Sequence, residues 1–211
     1  MKKFDTVDMD ERKDTEKIYL PHMLLIGATN RNVGKTTLAS AIINKFKHHY
    51  PITGLKITAI TEGNHGCPRG VKGCNVCASL KGDYDFAEEK NSAKPKDTSL
   101  LLASGAEKVF WLKVRRSRLY EGIMFAMKNI EKDTLIVSES NSARSVVVPG
   151  VFLMIDNSRE SVEIKETARN VMAYSDMIIP YKDMLEDIDG FIDCIRVREE
   201  NKSFHFFAVK H

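Results

Sequence analysis

Short apolar runs alternate along the chain with longer stretches in which apolar residues recur every three or four positions. The run HMLLIGA, residues 22–28, is continuously apolar, as a strand buried on both faces would be. Residues 35–48 then carry apolar side chains at the spacing of one helix face. The same reading predicts further strands at 52–60, 108–114, 134–140, 150–156 and 176–181, and further helices at 97–106, 116–131 and 159–174.

Strands that alternate with helices predict an α/β fold, a mostly parallel sheet with helices on both faces. Near the end, FIDCIRVREE and SFHFFAVKH flank Asn201 and Lys202, which predicts a C-terminal β-hairpin. We expect residues 1–20 to be a flexible lead-in and 21–211 to form one domain with a cysteine-rich insertion at about 61–96. Ligands of such sheets bind at the carboxyl ends of the strands, where each motif below falls.

Composition narrows the possible partners. The chain has 211 residues, 43% hydrophobic and 29% charged, and a net charge of only +3 with acids and bases interleaved. This balance favours neither nucleic acid nor a membrane surface as a partner, and the apolar runs are too short to span a bilayer. The opening MKKFDTVDMDERKDTEK lacks the apolar core of a secretory signal, so we expect a cytoplasmic protein.

The segment VGKTT follows the first predicted strand and opens the first helix, which is the context of a phosphate-binding loop. Gly34 would let the backbone approach phosphates, Lys35 would bind the β- and γ-phosphates, and the Thr36 hydroxyl would bind Mg²⁺. The alternative is a plain turn with a solvated lysine. Thr29 stands where the usual pattern opens with glycine. The predicted nucleotide-binding residues are Asn30, Arg31, Asn32, Val33, Gly34, Lys35, Thr36 and Thr37.

These residues carry a resemblance to known P-loop proteins. ATNRNVGKT resembles the loop GTDTEVGKT of dethiobiotin synthetases, and Asn30 stands where the ParA/MinD ATPases carry an extra lysine. GLKITAI with Lys56, KDTSLLLASGAEKVF and TLIVSES are similar to segments of MobB, the nucleotide-binding adaptor of molybdopterin-guanine dinucleotide synthesis. The likeness covers residues 22–139 in outline. It implies a P-loop NTPase fold, a bound nucleotide with Mg²⁺, and a homodimer.

Three charged residues are candidates to support the loop. Glu139 ends an apolar strand, where it could hold Mg²⁺ or simply be solvated. Asp97 could be a second Mg²⁺ carboxylate or a helix N-cap. Lys56, in an apolar strand, would meet a phosphate or a substrate acid at the sheet edge, or extend its ammonium into solvent. Asn141, Ser142 and Arg144 follow Glu139 and offer polar groups, with a solvated loop as the alternative.

A cysteine cluster lies in the predicted insertion. Cys67, Cys74 and Cys77 form a C-x6-C-x2-C pattern, and His65 is the nearest fourth ligand. Zinc and an iron–sulfur cluster are both consistent with this set, as are a redox pair or free thiols. Cys194 lies in a late predicted strand and is interpreted as a buried core thiol.

Together these features predict a Mg²⁺-dependent protein that binds ATP or GTP. In the first hypothesis it is an enzyme, with Lys35, Lys56 and Glu139 as catalytic residues, that hydrolyses nucleotide to activate a small acid or to assist cofactor synthesis. In the second it is a non-catalytic, MobB-like accessory of a cofactor-synthesis enzyme. In the third it is a metal or iron–sulfur chaperone whose cysteines pass their cargo under control of the nucleotide.

Overall fold

Seven strands and six helices make up the main body of the protein in a computed structural model that describes residues 17–61, 79–159 and 164–209. The strands are β1 (Ile18–Ala28), β2 (Ile52–Ile60), β3 (Tyr84–Glu88), β4 (Lys108–Arg115), β5 (Leu135–Glu139), β6 (Val147–Asp156) and β7 (Met177–Pro180). The helices are α1 (Lys35–Phe46), α2 (Asp97–Ala103), α3 (Leu119–Asn129), α4 (Glu166–Met172), α5 (Tyr181–Glu186) and α6 (Ile188–Ile192). Two last strands, β8 (Ile195–Glu200) and β9 (Ser203–Ala208), pair with each other.

The seven strands form one sheet in the order β3-β4-β2-β5-β1-β6-β7. All neighbouring strands are parallel except β3, which runs antiparallel to β4 at the edge. The predicted α/β class, with a mostly parallel sheet and a C-terminal hairpin, is confirmed. Because β1 lies between β5 and β6, the loops that follow these three strands open at the same edge of the sheet.

Both faces of the sheet are buried, which explains the continuous apolar run in β1. Leu24 and Ile26 belong to a core shared with α1 and the hairpin, whereas Met23 and Leu25 belong to a second core shared with α3. Successive side chains of a strand point to opposite faces, so a strand covered on both sides needs apolar residues at every position.

Several boundaries differ from the sequence prediction. β1 begins at Ile18 rather than at 22, so residues 18–20 of the predicted lead-in belong to the first strand, and its register with β6 shifts between Leu20 and Leu24. β6 begins at Val147 rather than at 150. Edge strand β3 and the short helices α5 and α6 had no periodic signal, because two turns of helix or five edge residues are too few to establish a pattern.

The C-terminal hairpin turns at the predicted Asn201 and Lys202, which have φ angles of 51° and 64°. Positive φ at both central residues is what a two-residue hairpin turn requires. Phe206 of β9 is buried in the core that contains α1. The thiol-bearing Cys194 is buried as predicted, 6% exposed. Among the described residues, none of the helices has the length and apolar character needed to cross a membrane.

Candidate functional site

The loop of residues 29–34 connects β1 to α1 and contains two left-handed backbone positions. Asn32 has φ 56°, and Gly34 has φ 77° and ψ 19° at the N-cap of α1. A Cβ atom at position 34 would also lie 2.6 Å from the Cε atom of Met184 in α5. The left-handed backbone conformation therefore favours glycine at position 34, whereas the flexible Met184 side chain could move aside for a Cβ atom. Left-handed positions in a loop before a helix are a feature of backbone sites whose amides bind anions.

The amino end of α1 adds to this preference for anions. The first regular bond of the helix runs from the Leu38 amide to the Gly34 carbonyl oxygen at 2.9 Å, so the amides of the first turn have no partner within the helix. No acidic residue occupies that turn. The positive end of the helix dipole is left for a ligand.

Thr29 ties the start of the loop to β6. Its amide donates to the Ile155 carbonyl oxygen at 2.9 Å, and its hydroxyl oxygen accepts from the Asn157 amide at 2.9 Å. The residue is fully buried. The threonine in place of the usual glycine thus has a structural reason, since glycine has no side-chain oxygen to satisfy the Asn157 amide.

Asn141 holds the same point of the chain from the β5 side. Its Oδ1 accepts from the Ala28 amide at 2.8 Å, and its Nδ2 donates to the Ala28 carbonyl oxygen at 2.9 Å. A Cβ atom on Gly27 would lie 2.9 Å from this Oδ1, so the close approach requires the glycine. This side chain, predicted to offer polar groups to a substrate, positions the loop and also lines the neighbouring cavity.

Arg144 does not join Asn141 at the site. Its guanidinium lies 4.8 Å from the ring centroid of Tyr174, and its Nη1 donates to the Val147 carbonyl oxygen at 3.1 Å. Stacking on an aromatic face and this backbone bond account for its position.

A cavity of about 600 Å³ lies at the carboxyl ends of β1, β2 and β5. This volume falls within the usual range for small-molecule sites, about 300–1,000 Å³. Its lining comprises Arg31, Asn32, Val33, Gly34, Lys35, Thr36, Lys56, Ile57, Thr58, Ala59, Asp97, Glu139, Ser140, Asn141, Ser142, Lys165 and Thr167. The structure therefore brings together Lys35, Thr36, Lys56, Asp97 and Glu139, whereas Asn30 and Thr37 of the predicted nucleotide-binding residues do not line the cavity.

Glu139 is the most deeply buried charged group in this lining, at 4% exposure. It lies next to Lys56 in the register of β2 and β5, and the Thr36 side chain lies close enough to its carboxylate to favour the ionised form. Among the described residues, its carboxylate oxygen Oε1 has no hydrogen-bond partner. Burial raises the pKa of Glu139 despite the opposing effects of Lys56, Thr36 and Lys35. A buried carboxylate oxygen without a partner is a position suited to a cation.

Lys56 and Asp97 form an ion pair across the cavity wall. Asp97 is the first residue of α2, and the N-cap position belongs to Lys96, which makes no side-chain capping bond. Asp97 is therefore not the N-cap, and its carboxylate faces a lysine. The Lys56 side chain is 14% exposed, so the apolar strand buries its stem and the ammonium emerges at the edge.

Among the described residues that line the cavity, basic side chains outnumber acidic ones. Four are basic (Arg31, Lys35, Lys56 and Lys165) and two are acidic (Asp97 and Glu139). Burial lowers the pKa of Lys35, and Lys56 lowers it further, while Glu139 and Asp97 act in the opposite direction. A polyanionic ligand would relieve this desolvated positive charge.

Lys165 is a cavity residue that sequence reasoning missed. It lies directly before α4, in a segment where the apolar pattern predicts a helix beginning at 159. Burial, together with Lys35 and Arg31, lowers its pKa to about 7. One signal pointed to it: loops that follow neighbouring parallel strands open at the same edge, and Lys165 follows β6.

The predicted metal ligands lie outside the described residues; they are Cys67, Cys74, Cys77 and His65. Their metal site stays a prediction. Within the described part of the chain, no group of three His, Cys, Asp or Glu side chains is placed to hold a metal ion.

Comparison with known proteins adds no relative: no family model, no curated protein and no solved structure matches the chain. The site is therefore interpreted from its own geometry.

Replacing Thr29 by valine tests the hydrogen bond that anchors the loop. Valine keeps the shape and removes the hydroxyl, which leaves the Asn157 amide without its partner. We expect the free energy of unfolding to fall by about 1–3 kcal/mol, measured by urea denaturation. Thr37→Val, at an exposed position of α1, is the matched control and should change stability by less than about 0.5 kcal/mol. Equal stability of the two variants would contradict the anchor.

Proposed function

We propose that the protein binds a nucleoside triphosphate with Mg²⁺ in the 600 Å³ cavity and cleaves its terminal phosphate. The observation that carries the proposal is the buried Glu139 carboxylate in the same cavity as Thr36. A hydroxyl at the start of α1 and a carboxylate oxygen that has no partner among the described residues line this cavity together with Lys35 and the 29–34 loop. These are the groups that nucleotide phosphates and their metal ion require.

Mg²⁺ fits this donor set. It prefers oxygen ligands and keeps several waters, so one hydroxyl and one carboxylate are a sufficient protein contribution. Thr36 and Glu139 would hold it, and Asp97, which acts electrostatically on Glu139, would stabilise the ion from the cavity wall. The ion would supply charge neutralisation on the phosphates.

The loop amides, Lys35 and Lys56 would each have a separate role in binding and cleavage. The 29–34 loop and the first turn of α1 would bind the phosphate oxygens through backbone amides. Lys35 would neutralise the negative charge that develops as the bond between the bridging oxygen and the terminal phosphorus breaks. Lys56, on the β2 side of the cavity, would orient the acceptor, which is either water or the carboxylate of a small acid.

The chemistry downstream of phosphate cleavage has three candidates. An acid-activating or cofactor-synthesis enzyme agrees best with Lys56 at the cavity wall, since an ammonium next to the phosphates can hold an anionic acceptor. A MobB-like accessory of a cofactor-synthesis enzyme and a nucleotide-gated metal or iron–sulfur chaperone are the alternatives. A homodimer, implied by the resemblance, is compatible with each. ATP and GTP are both candidate nucleotides.

Lys35→Ala tests nucleotide binding directly. For the wild type, ATP or GTP with Mg²⁺ at a hundred times Kd should raise the melting temperature by roughly 5–10 °C. The variant should lose this shift, while its melting temperature without ligand stays equal or rises, because a desolvated cation has been removed. Lys128→Ala, at an exposed position of α3, is the control. A full ligand shift in Lys35→Ala would overturn the proposal.

Glu139→Gln separates metal binding from stability. The pKa of Glu139 is raised in the folded state, so folding favours its neutral form, and the stability from that form is lost as pH rises through the folded pKa. Glutamine cannot ionise, so without ligand the variant should melt at a higher temperature than the wild type at pH 8. Its Mg²⁺ affinity in the nucleotide complex should fall at least roughly tenfold. Unchanged dependence of nucleotide binding on Mg²⁺ would remove Glu139 from the metal site.

Steady-state hydrolysis distinguishes the three candidate functions. An enzyme that activates an acid should hydrolyse nucleotide alone and faster when its acid is present. Hydrolysis that stays slow until a partner protein is added favours the accessory. For the chaperone, Cys74→Ser should lower both the metal content by elemental analysis and the turnover, and a variant that keeps both would exclude that function.

A further inference from the structure

Lys165 is anchored to the same loop that would bind the phosphates. Its backbone amide donates to the Thr29 carbonyl oxygen at 3.0 Å. Two residues later, the Thr167 hydroxyl accepts from the Asn141 Nδ2 at 3.4 Å, and that same Nδ2 holds the Ala28 carbonyl oxygen. The start of α4 is thus hydrogen-bonded directly to the loop at Thr29 and, through Asn141, to Ala28 just before it. These bonds fix the backbone of Lys165 relative to the loop that precedes Lys35.

The Lys165 ammonium faces other cations. Burial lowers the pKa of Lys165, and among the described residues Lys35 of α1 and Arg31 of the 29–34 loop lower it further. Across residues 17–61, 79–159 and 164–209, no salt bridge to Lys165 is formed. Lys165 thus lines the cavity beside two like charges. An anion bound there would offset their mutual repulsion.

Lys56 and Lys165 occupy opposite sides of the cavity. β2, which carries Lys56, and β6, which precedes Lys165, are separated in the sheet by β5 and β1. Lys56 has the Asp97 carboxylate as its partner, whereas the described residues whose charges act on Lys165, namely Lys35 and Arg31, are both repulsive. The negative charge of a ligand would therefore offset a repulsion at Lys165 that no carboxylate among the described residues offsets.

We infer that Lys165 is a specificity-determining residue that binds the terminal phosphate, so that it sets the preference for a nucleoside triphosphate over the diphosphate. The inference rests on the proposed function, because it takes Lys35 to lie at the β- and γ-phosphates. Lys165 then contacts the phosphate that the diphosphate lacks, from the side opposite to Lys56. Cleavage of that phosphate would remove the anion from Lys165 and so favour release of the diphosphate.

The test compares Kd values for Mg·ATP, Mg·ADP, Mg·GTP and Mg·GDP in the wild type, Lys165→Met and Lys165→Arg by titration calorimetry. Lys165→Met should weaken triphosphate binding by about tenfold to a hundredfold, the value of one charge-assisted hydrogen bond. Diphosphate binding should change by less than about threefold. Lys165→Arg should restore most of the preference, because arginine keeps the charge and the donors. Arg169→Met, an exposed position on α4, should leave both affinities unchanged.

The outcomes separate the inference from the proposed function. If the wild type binds neither triphosphates nor diphosphates, both are wrong. If it binds them and Lys165→Met keeps the wild-type ratio of affinities, the nucleotide site stands and the assignment of Lys165 is overturned. An equal loss for triphosphate and diphosphate would place Lys165 at a shared phosphate or in a structural role, which also contradicts the inference. If inorganic phosphate added to the ADP or GDP complex binds the wild type but not Lys165→Met, the same terminal position is supported independently.

Discussion

The backbone at the end of β1 is held from both sides, and the rest of the site depends on this constraint. Asn141 makes two hydrogen bonds to the Ala28 backbone. The Thr29 amide donates to the Ile155 carbonyl oxygen, and the Thr29 hydroxyl accepts from the Asn157 amide. The loop that follows therefore leaves the sheet from a fixed point. The left-handed positions of the loop and the start of α1 are therefore fixed in place as well, because a loop is only as well placed as the elements that support it.

Charged side chains surround this loop, and their burial costs free energy of folding. Burial raises the pKa of Glu139 and lowers those of Lys35 and Lys165, so in each case the environment disfavours the charged form. Perturbed pKa values of this kind, grouped in one cavity, are frequent at functional sites. A polyanion with a divalent cation would satisfy both signs of charge, which is why the proposed Mg²⁺–nucleotide complex suits this cavity better than a neutral ligand.

The fold was predictable wherever burial imposed a long, regular pattern. β1, β2 and β5 are covered on both faces, so their apolar runs are continuous, and α1 repeats its apolar residues at helical spacing. Prediction failed for β3, α5 and α6, which are short and placed by packing rather than by periodicity. It also placed Asp97 correctly at the start of α2 but allowed it a capping role, whereas the structure pairs it with Lys56.

The sequence by itself determined the fold class and the residues of the loop, since Gly34, Lys35 and Thr36 are consecutive and Glu139 ends an apolar strand. Tertiary structure decided which distant residues meet them. Asn141 lies 113 positions from Ala28 and acts as a support, while Lys165 joins the cavity from beyond β6. No local sequence pattern predicts these long-range contacts. They follow from the strand order, which places the ends of β5, β1 and β6 side by side and so brings their loops to one edge.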